Sequence, residues 1–392
     1  MSEQNKIFCT APFTTLRVES FSNHKGFIFK PGCVYKAQGP IPTLDDYQSG
    51  LEMTEHRNNL LTGTVPSKGC YMCSKPESMG LPSVRLDLLK KPWASADEKI
   101  FMLDMFFGNT CNLGCIMCGP EWSSYISNER FNAGIIPTQI KLKDNTQIMI
   151  ETLDKLPDLK TVSFIGGEFF VVKRNLEILD LIISRGLECS IATNATVIND
   201  DILSRLQQIK NVEIRISVDG TEDCYEFIRY PAKWDILNNN IARFKKALPN
   251  SAFLISAVVQ PLNVQNLHEL FEWANKQYIK TILQYISMPS ELCWPILTDL
   301  ERWNLVDLLT KKQSQGFKIT QQQYNNLNNL IVAIQDTNFD SEARQACIRF
   351  IGKLMSYRKI HPTVIKKHFG ILTNLAEEII NENSNNPNQR RS

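Results

Sequence analysis

Nowhere does the chain hold an uninterrupted apolar run of about 18 residues, the length a helix needs to cross a bilayer, and its first residues lack a secretory-type apolar core. A cytoplasmic protein with no membrane partner is therefore expected. An excess of charge of one sign is lacking too: 43 Lys and Arg stand against 41 Asp and Glu, a net +2, and the basic residues are scattered. That balance excludes bulk electrostatic attraction to nucleic acid or an anionic membrane as the basis of function. What the chain does have is size and cysteine. With 392 residues, 43% of them hydrophobic, it can bury a large core together with a smaller domain. Eleven cysteines in a reducing compartment argue for metal clusters in place of disulfides.

Three of those cysteines fall in the stretch Gly108-Asn109-Thr110-Cys111-Asn112-Leu113-Gly114-Cys115-Ile116-Met117-Cys118. C-x3-C-x2-C spacing lets one short loop ligate three irons of a cubane and leaves the fourth iron without a protein ligand. A fully cysteine-ligated cluster only passes electrons, whereas an open iron can be chelated by a small molecule. The competing reading is a zinc knuckle or three buried thiols. Zinc sites usually pair C-x2-C or Cys/His units into four ligands, and no fourth Cys or His lies nearby in sequence.

The loop follows an apolar run over residues 100–107 that reads as a buried strand, and it precedes a helix expected to begin near Trp122. Further strand-like runs cover Thr161–Ile165, Glu188–Ala192, Val212–Ser217, Phe253–Gln260 and Thr281–Ile286. Helical patterns lie between them at Asn175–Arg185, Asp200–Ile209, Lys233–Leu248 and Val264–Lys276. Six strands separated by helices predict an α/β fold with a parallel sheet, and a partial (β/α)6 barrel of TIM type fits the count. Active sites in such sheets lie at the carboxyl ends of the strands. There the chain carries Gly166-Gly167-Glu168, then Thr193-Asn194, then Ser217-Val218-Asp219-Gly220 with Arg229 downstream, and finally Gln260.

This combination resembles the radical SAM superfamily. The resemblance implies a [4Fe–4S] cluster on Cys111, Cys115 and Cys118, with S-adenosylmethionine (SAM) on its open iron. It also implies one-electron reduction of the sulfonium, homolysis of the C5′–S bond, and a 5′-deoxyadenosyl radical that abstracts hydrogen from a substrate. Gly166, Gly167 and Glu168 are implied to accept the methionine amino group. Asn194, Ser217 and Arg229 are implied to hold the ribose and the methionine carboxylate, and an arginine suits that carboxylate because it can pair bidentately. Read without the resemblance, these residues would form ordinary turns and a surface ion pair.

A second set, Cys9, Cys33, Cys70 and Cys73, together with Gly80, Ser83 and Arg85, resembles the N-terminal auxiliary-cluster module of twitch-domain proteins, which are related to the SPASM proteins. Four cysteines suffice for a second [4Fe–4S] cluster; a structural zinc site is the alternative. Cys189, Cys293 and Cys347 read as buried thiols. Cys224 reads as a packed thiol as well, with return of a hydrogen atom to a substrate radical at the rim of the site as the alternative.

The expected organisation is an auxiliary-cluster domain over residues 1–98, the barrel over 99–290, a helical region over 291–380, and a disordered tail over 381–392. The helices of the third part are expected at Asp299–Gln313, Gln321–Gln335, Ser341–Ser356 and Pro362–Asn383. The expected partners are a reductant such as flavodoxin or ferredoxin and a substrate that is a peptide or protein residue modified at carbon. Dehydrogenation or rearrangement of a small sugar, cyclitol or nucleotide is the alternative, and a non-catalytic electron carrier is the reading from another class.

Overall fold

Short β-rich runs separated by amphipathic helices leave the chain one economical solution, a sheet whose faces are covered by its own connections. The computed structural model describes residues 9–20, 27–33, 35, 41–63, 70, 73, 74, 77, 83–142, 145–286, 288–315, 319–361, 364, 367, 370 and 372–384. Strands β1 (Thr15–Ser20) and β2 (Phe27–Lys30) precede β3 (Met102–Phe106), β4 (Thr161–Ile165), β5 (Glu188–Thr193), β6 (Val212–Ser217), β7 (Ala252–Val259) and β8 (Lys280–Tyr285). They form one sheet in the order β2-β1-β3-β4-β5-β6-β7-β8. From β3 to β8 each strand lies parallel beside the next in sequence, the arrangement of a partial (β/α) barrel.

All six strands expected from the sequence are present, and two more extend the sheet. β1 pairs parallel with β3, setting Arg17 opposite Asp104, and β2 returns antiparallel beside β1. Arg17 Nη2 meets Asp104 Oδ2 at 2.8 Å, so a charge pair reinforces the backbone register. Leu16 and Val18 are fully buried in the same core as Leu103 and Met105. A smaller core gathers Cys9, Ala11, Phe13, Leu60 and Leu88. Cys9 sits in this smaller core and Cys33 packs against it, while β1 and β2 belong to the barrel sheet.

The helices Leu176–Arg185, Trp234–Ala247 and Leu267–Lys276 bury Ile178 and Ile182, Leu237 and Phe244, and Leu270 and Phe271. Side chains alternate along a strand, and Ala192, Ser217, Val258 and Gln284 line a cavity on the inner side of the sheet. Their neighbours Ile191, Ile216 and Ala257 are fully buried in the core.

Beyond the barrel, helices run over Asp299–Ser314, Gln321–Gln335, Ser341–Arg358 and Thr373–Ser384. The first two open with capping boxes, Thr298 with Glu301 and Thr320 with Gln323. Arg344 joins three of these helices, meeting Glu301 at 2.7 Å and Glu378 at 2.8 Å. Much of the start of the last expected helix, and the tail from residue 385, lie outside the described residues. Among the described residues no helix is long and apolar enough to cross a membrane.

Candidate functional site

The cysteine loop leaves the end of β3 and is fastened on three sides. Gly114 N donates to Tyr230 O at 2.6 Å and Ile116 N to Ile228 O at 2.9 Å, which ties the loop to the segment after β6. Ser123 caps the helix Ser124–Asn132 and donates to Leu113 O at 2.8 Å. Asn109 Nδ2 donates to Pro120 O and Ile140 O, closing the loop on itself. At the end of β5, Asn194 Nδ2 reaches Asn112 Oδ1 at 2.9 Å, and Asn112 Nδ2 reaches Thr196 Oγ1 at 2.8 Å. A loop with this many anchors presents its cysteines in a fixed frame.

Beside it, Gly166 and Gly167 have φ of +82° and +50°. A Cβ on Gly166 would stand 1.9 Å from the Phe106 ring, and one on Gly167 would stand 2.5 Å from Thr110 O. Glycine is required at both positions because no side chain fits between β4 and the cysteine loop. The turn delivers Glu168 N to Thr110 O at 2.8 Å. The Glu168 carboxylate is 2% exposed; Oε1 accepts from Thr193 Oγ1 at 2.7 Å and Oε2 from Asn194 N at 2.6 Å. Burial pushes this carboxyl upward while the donors from Asn194, Thr193 and Phe170 pull it back. A cation arriving in the cavity would therefore find a preoriented and poorly solvated acceptor.

Asp219 is fully buried, its Oδ1 accepting from Val258 N at 2.7 Å and its Oδ2 lying 2.7 Å from Arg229 Nε. Burial disfavours the Arg229 charge, and Asp219 more than restores it, so the guanidinium is held above its ordinary range. Arg229 Nη1 points at Cys115 Sγ, 3.7 Å away. The Ser217 hydroxyl lines the cavity without a protein partner among the described residues. Asn194 also lines it, but its amide oxygen accepts from Thr196 N and Oγ1 and its nitrogen serves Asn112, so this side chain braces the loop.

One cavity of about 470 Å³ brings together Cys111, Cys115, Cys118, Gly166, Gly167, Glu168, Asn194, Ser217 and Arg229, and leaves out Gln260 and Cys224. Burial raises all three thiols, Cys111 to about 12. Among the described residues no three Cys, His, Asp or Glu side chains converge as ligands of a single metal ion. A cubane asks for something else: each thiolate takes its own iron, so three soft ligands around a shared hollow fit it. The glycine pair, which keeps the opposite wall free of side chains, fits a ligand seated against that hollow.

Of the four N-terminal cysteines, Cys9 lies in the smaller core and Cys33 packs against it. Cys9 is raised to about 12, first by burial and then, after a lowering backbone contact at Ala11, by Cys33, Cys70 and Cys73 in turn. Cys73 N donates to Cys70 O at 3.1 Å. Ser83 caps the helix Val84–Leu89, and Arg85 pairs with Glu77 and lies near enough for Cys9 and Cys73 to favour its charge. Gly80 lies outside the described residues.

Cys224 is not brought to the cysteine cavity. It lies on the buried face of the helix Glu222–Ile228, lines a separate hollow with Trp234 and Trp273, and would touch any Cβ placed on Gly220. Gln260 is fully buried, and neither end of its amide has a partner among the described residues. Cys189 and Cys347 are buried, while Cys293 is half-buried with its thiol 3.3 Å from Pro289 O. The sequence reading missed Thr193 and Asp219 as supports of Glu168 and Arg229, though both lie inside the motifs that named their partners. It also missed Arg130, which has no motif around it: Nη2 donates to Cys118 O at 2.7 Å and to Ile116 O at 3.3 Å.

Residues 105–274 match the family model of the Radical SAM superfamily. No curated protein sequence matches the chain. Similar solved structures include Streptococcus suis SuiB bound to S-adenosylmethionine, at 14% identity and a TM-score of 0.41, covering 61% of this chain and 50% of that one. Another is anSMEcpe with bound AdoMet, at 18% identity and a TM-score of 0.37, covering 47% of this chain and 50% of that one. The chain spans about half the length of these two proteins, and likenesses this distant carry no argument about reaction or partner.

Proposed function

We propose, from the premise that residues 105–274 are a radical SAM domain, that this protein is a radical SAM enzyme with two iron–sulfur clusters. When bound, a [4Fe–4S] cluster and SAM supply one-electron reductive cleavage of the sulfonium and removal of a hydrogen atom from the substrate. Cys111, Cys115 and Cys118 hold the cluster. The Gly166-Gly167 backbone lets the ligand approach, and Glu168 accepts its ammonium group. Arg229 and Ser217 meet its remaining polar groups, while Asn194 fixes the loop to the barrel. The observation that carries this reading is the single cavity shared by the cysteines, the glycine pair, Glu168, Ser217 and Arg229.

Within the same reading, residues 1–98 form an auxiliary-cluster domain with Cys9, Cys33, Cys70 and Cys73 as ligands. The mutual influence of these four thiols supports it. Residues 99–290 are the catalytic barrel and 291–380 a helical region, whose last helix runs on to Ser384 before the tail. The substrate is a peptide or protein residue modified at carbon, the reductant a flavodoxin or ferredoxin, and the compartment the cytoplasm. The substrate class rests on the twitch resemblance of the second cysteine set.

The test is reductive cleavage without substrate. Reconstituted wild type with dithionite should release 5′-deoxyadenosine and methionine, and the Cys111/Cys115/Cys118→Ala protein should release none. Neither SAM binding nor 5′-deoxyadenosine from loaded wild type would favour an electron carrier instead.

A further inference from the structure

Three buried guanidinium groups surround the cysteine loop, and two of them are neutralised. Arg229 has Asp219 at 2.7 Å. Arg358, from the helix Ser341–Arg358, places Nε and Nη2 on the two carboxylate oxygens of Glu129 at 2.7 and 2.6 Å, and Nη2 also donates to Gly114 O. The third has no such partner. Arg130 is 7% exposed, no carboxylate among the described residues stands within ion-pair distance of it, and its Nε is buried without a partner. Its contacts are the carbonyls of Cys118 and Ile116 and the ring of Phe350, 4.9 Å from its Cζ.

A buried cation without a counterion costs several kcal/mol. The chain maintains one beside a loop whose cysteines would carry thiolate charge once iron is bound. Glu129 and Glu291 favour the Arg130 charge only from beyond ion-pair distance, and both oxygens of Glu129 are taken by Arg358.

We infer that Arg130 is the electrostatic partner of the cluster site at Cys118 and that it raises the reduction potential of the cluster held there. The inference rests on the cluster reading above. An electron entering the cluster adds one negative charge, and an uncompensated cation in a low-dielectric setting stabilises the reduced form more than the oxidised one. Because Arg130 lies over Phe350, the helix Ser341–Arg358 excludes water from this contact. Arg130 is a positioning residue in this account; it touches the loop and not the substrate.

The test is an EPR-monitored redox titration, without SAM, of protein carrying only the cluster at Cys111, Cys115 and Cys118, with iron content measured alongside. Arg130→Gln keeps a hydrogen-bond donor and removes the charge. It should retain its iron and shift the reduced-to-oxidised ratio at least tenfold toward oxidised, 59 mV for a one-electron couple. Arg130→Lys keeps the charge and should remain close to wild type. Loaded Arg130→Gln with an unchanged potential overturns the inference. If Arg130→Gln loses its iron, retention by Arg130→Lys supports it, and equal loss by both variants overturns it in favour of a packing role. Wild type that takes up no iron would instead sink the cluster reading itself.

Discussion

Glu168 is anchored before any ligand arrives. Thr193 Oγ1 and Asn194 N fix its two oxygens, so their remaining lone pairs face the cavity in one orientation. Glu168→Gln keeps the shape and removes the charge; SAM affinity should fall by about 1.5–3 kcal/mol, the scale of a charge-assisted hydrogen bond. Calorimetric titration of loaded protein would measure it, and equal affinities would remove Glu168 from the binding site. Thr193→Val keeps the charge and loses one donor, so its loss should be smaller, about 1 kcal/mol. Gly167→Ala is a different lesion. Its methyl group would press on Thr110 O from a φ of +50°, so iron uptake by the loop should fall, together with about 1–3 kcal/mol of stability. Undiminished iron uptake and an unchanged urea midpoint would show that the turn relaxes freely.

The elements are coupled where their polar ends meet. The helix Ser341–Arg358 reaches the cysteine loop through Arg358, whose side chain, like that of Glu129, is 1% exposed. Arg358 also lies over the Tyr230 ring and donates to Gly114 O. Arg358→Met leaves a buried carboxylate unpaired and should cost about 3–5 kcal/mol. Arg358→Met combined with Glu129→Met should cost less than the single change, because no orphan charge remains. Urea unfolding of the two apo proteins compares them, and a double variant no more stable than the single one would contradict this account of the pair.

Across the whole molecule, two groups of cysteines are placed differently. Cys111, Cys115 and Cys118 share one loop and line one cavity; Cys9, Cys33, Cys70 and Cys73 are spread along the N-terminal segment, where Cys9 lies in the smaller core and Cys33 packs against it. If both hold [4Fe–4S] clusters, fully reconstituted protein should carry about eight irons and eight sulfides per chain. The Cys111/Cys115/Cys118→Ala variant should keep half. One equivalent of zinc with only four irons would assign the N-terminal set to zinc instead.

Local pattern was enough for what depends on neighbours in sequence. Six strand runs, the helices between them, the C-x3-C-x2-C loop and the Gly-Gly-Glu turn were readable because period, spacing and glycine content are local properties. Strands β1 and β2 were not, since four of the six residues of Thr15–Ser20 are polar and the segment joins the sheet by pairing with β3. The separation of Cys224 from the cysteine cavity was equally invisible: proximity in sequence to the Ser217–Gly220 turn does not tell which way the helix Glu222–Ile228 turns its buried face. Arg130, Glu129 and Arg358 show the same limit. Nothing in their sequence surroundings distinguishes them from solvated charges; burial and the choice of partner come from a helix more than 200 residues away along the chain. The sequence determined which groups could do chemistry, and the tertiary structure alone decided which charges are buried, which are paired, and which one is left facing the loop.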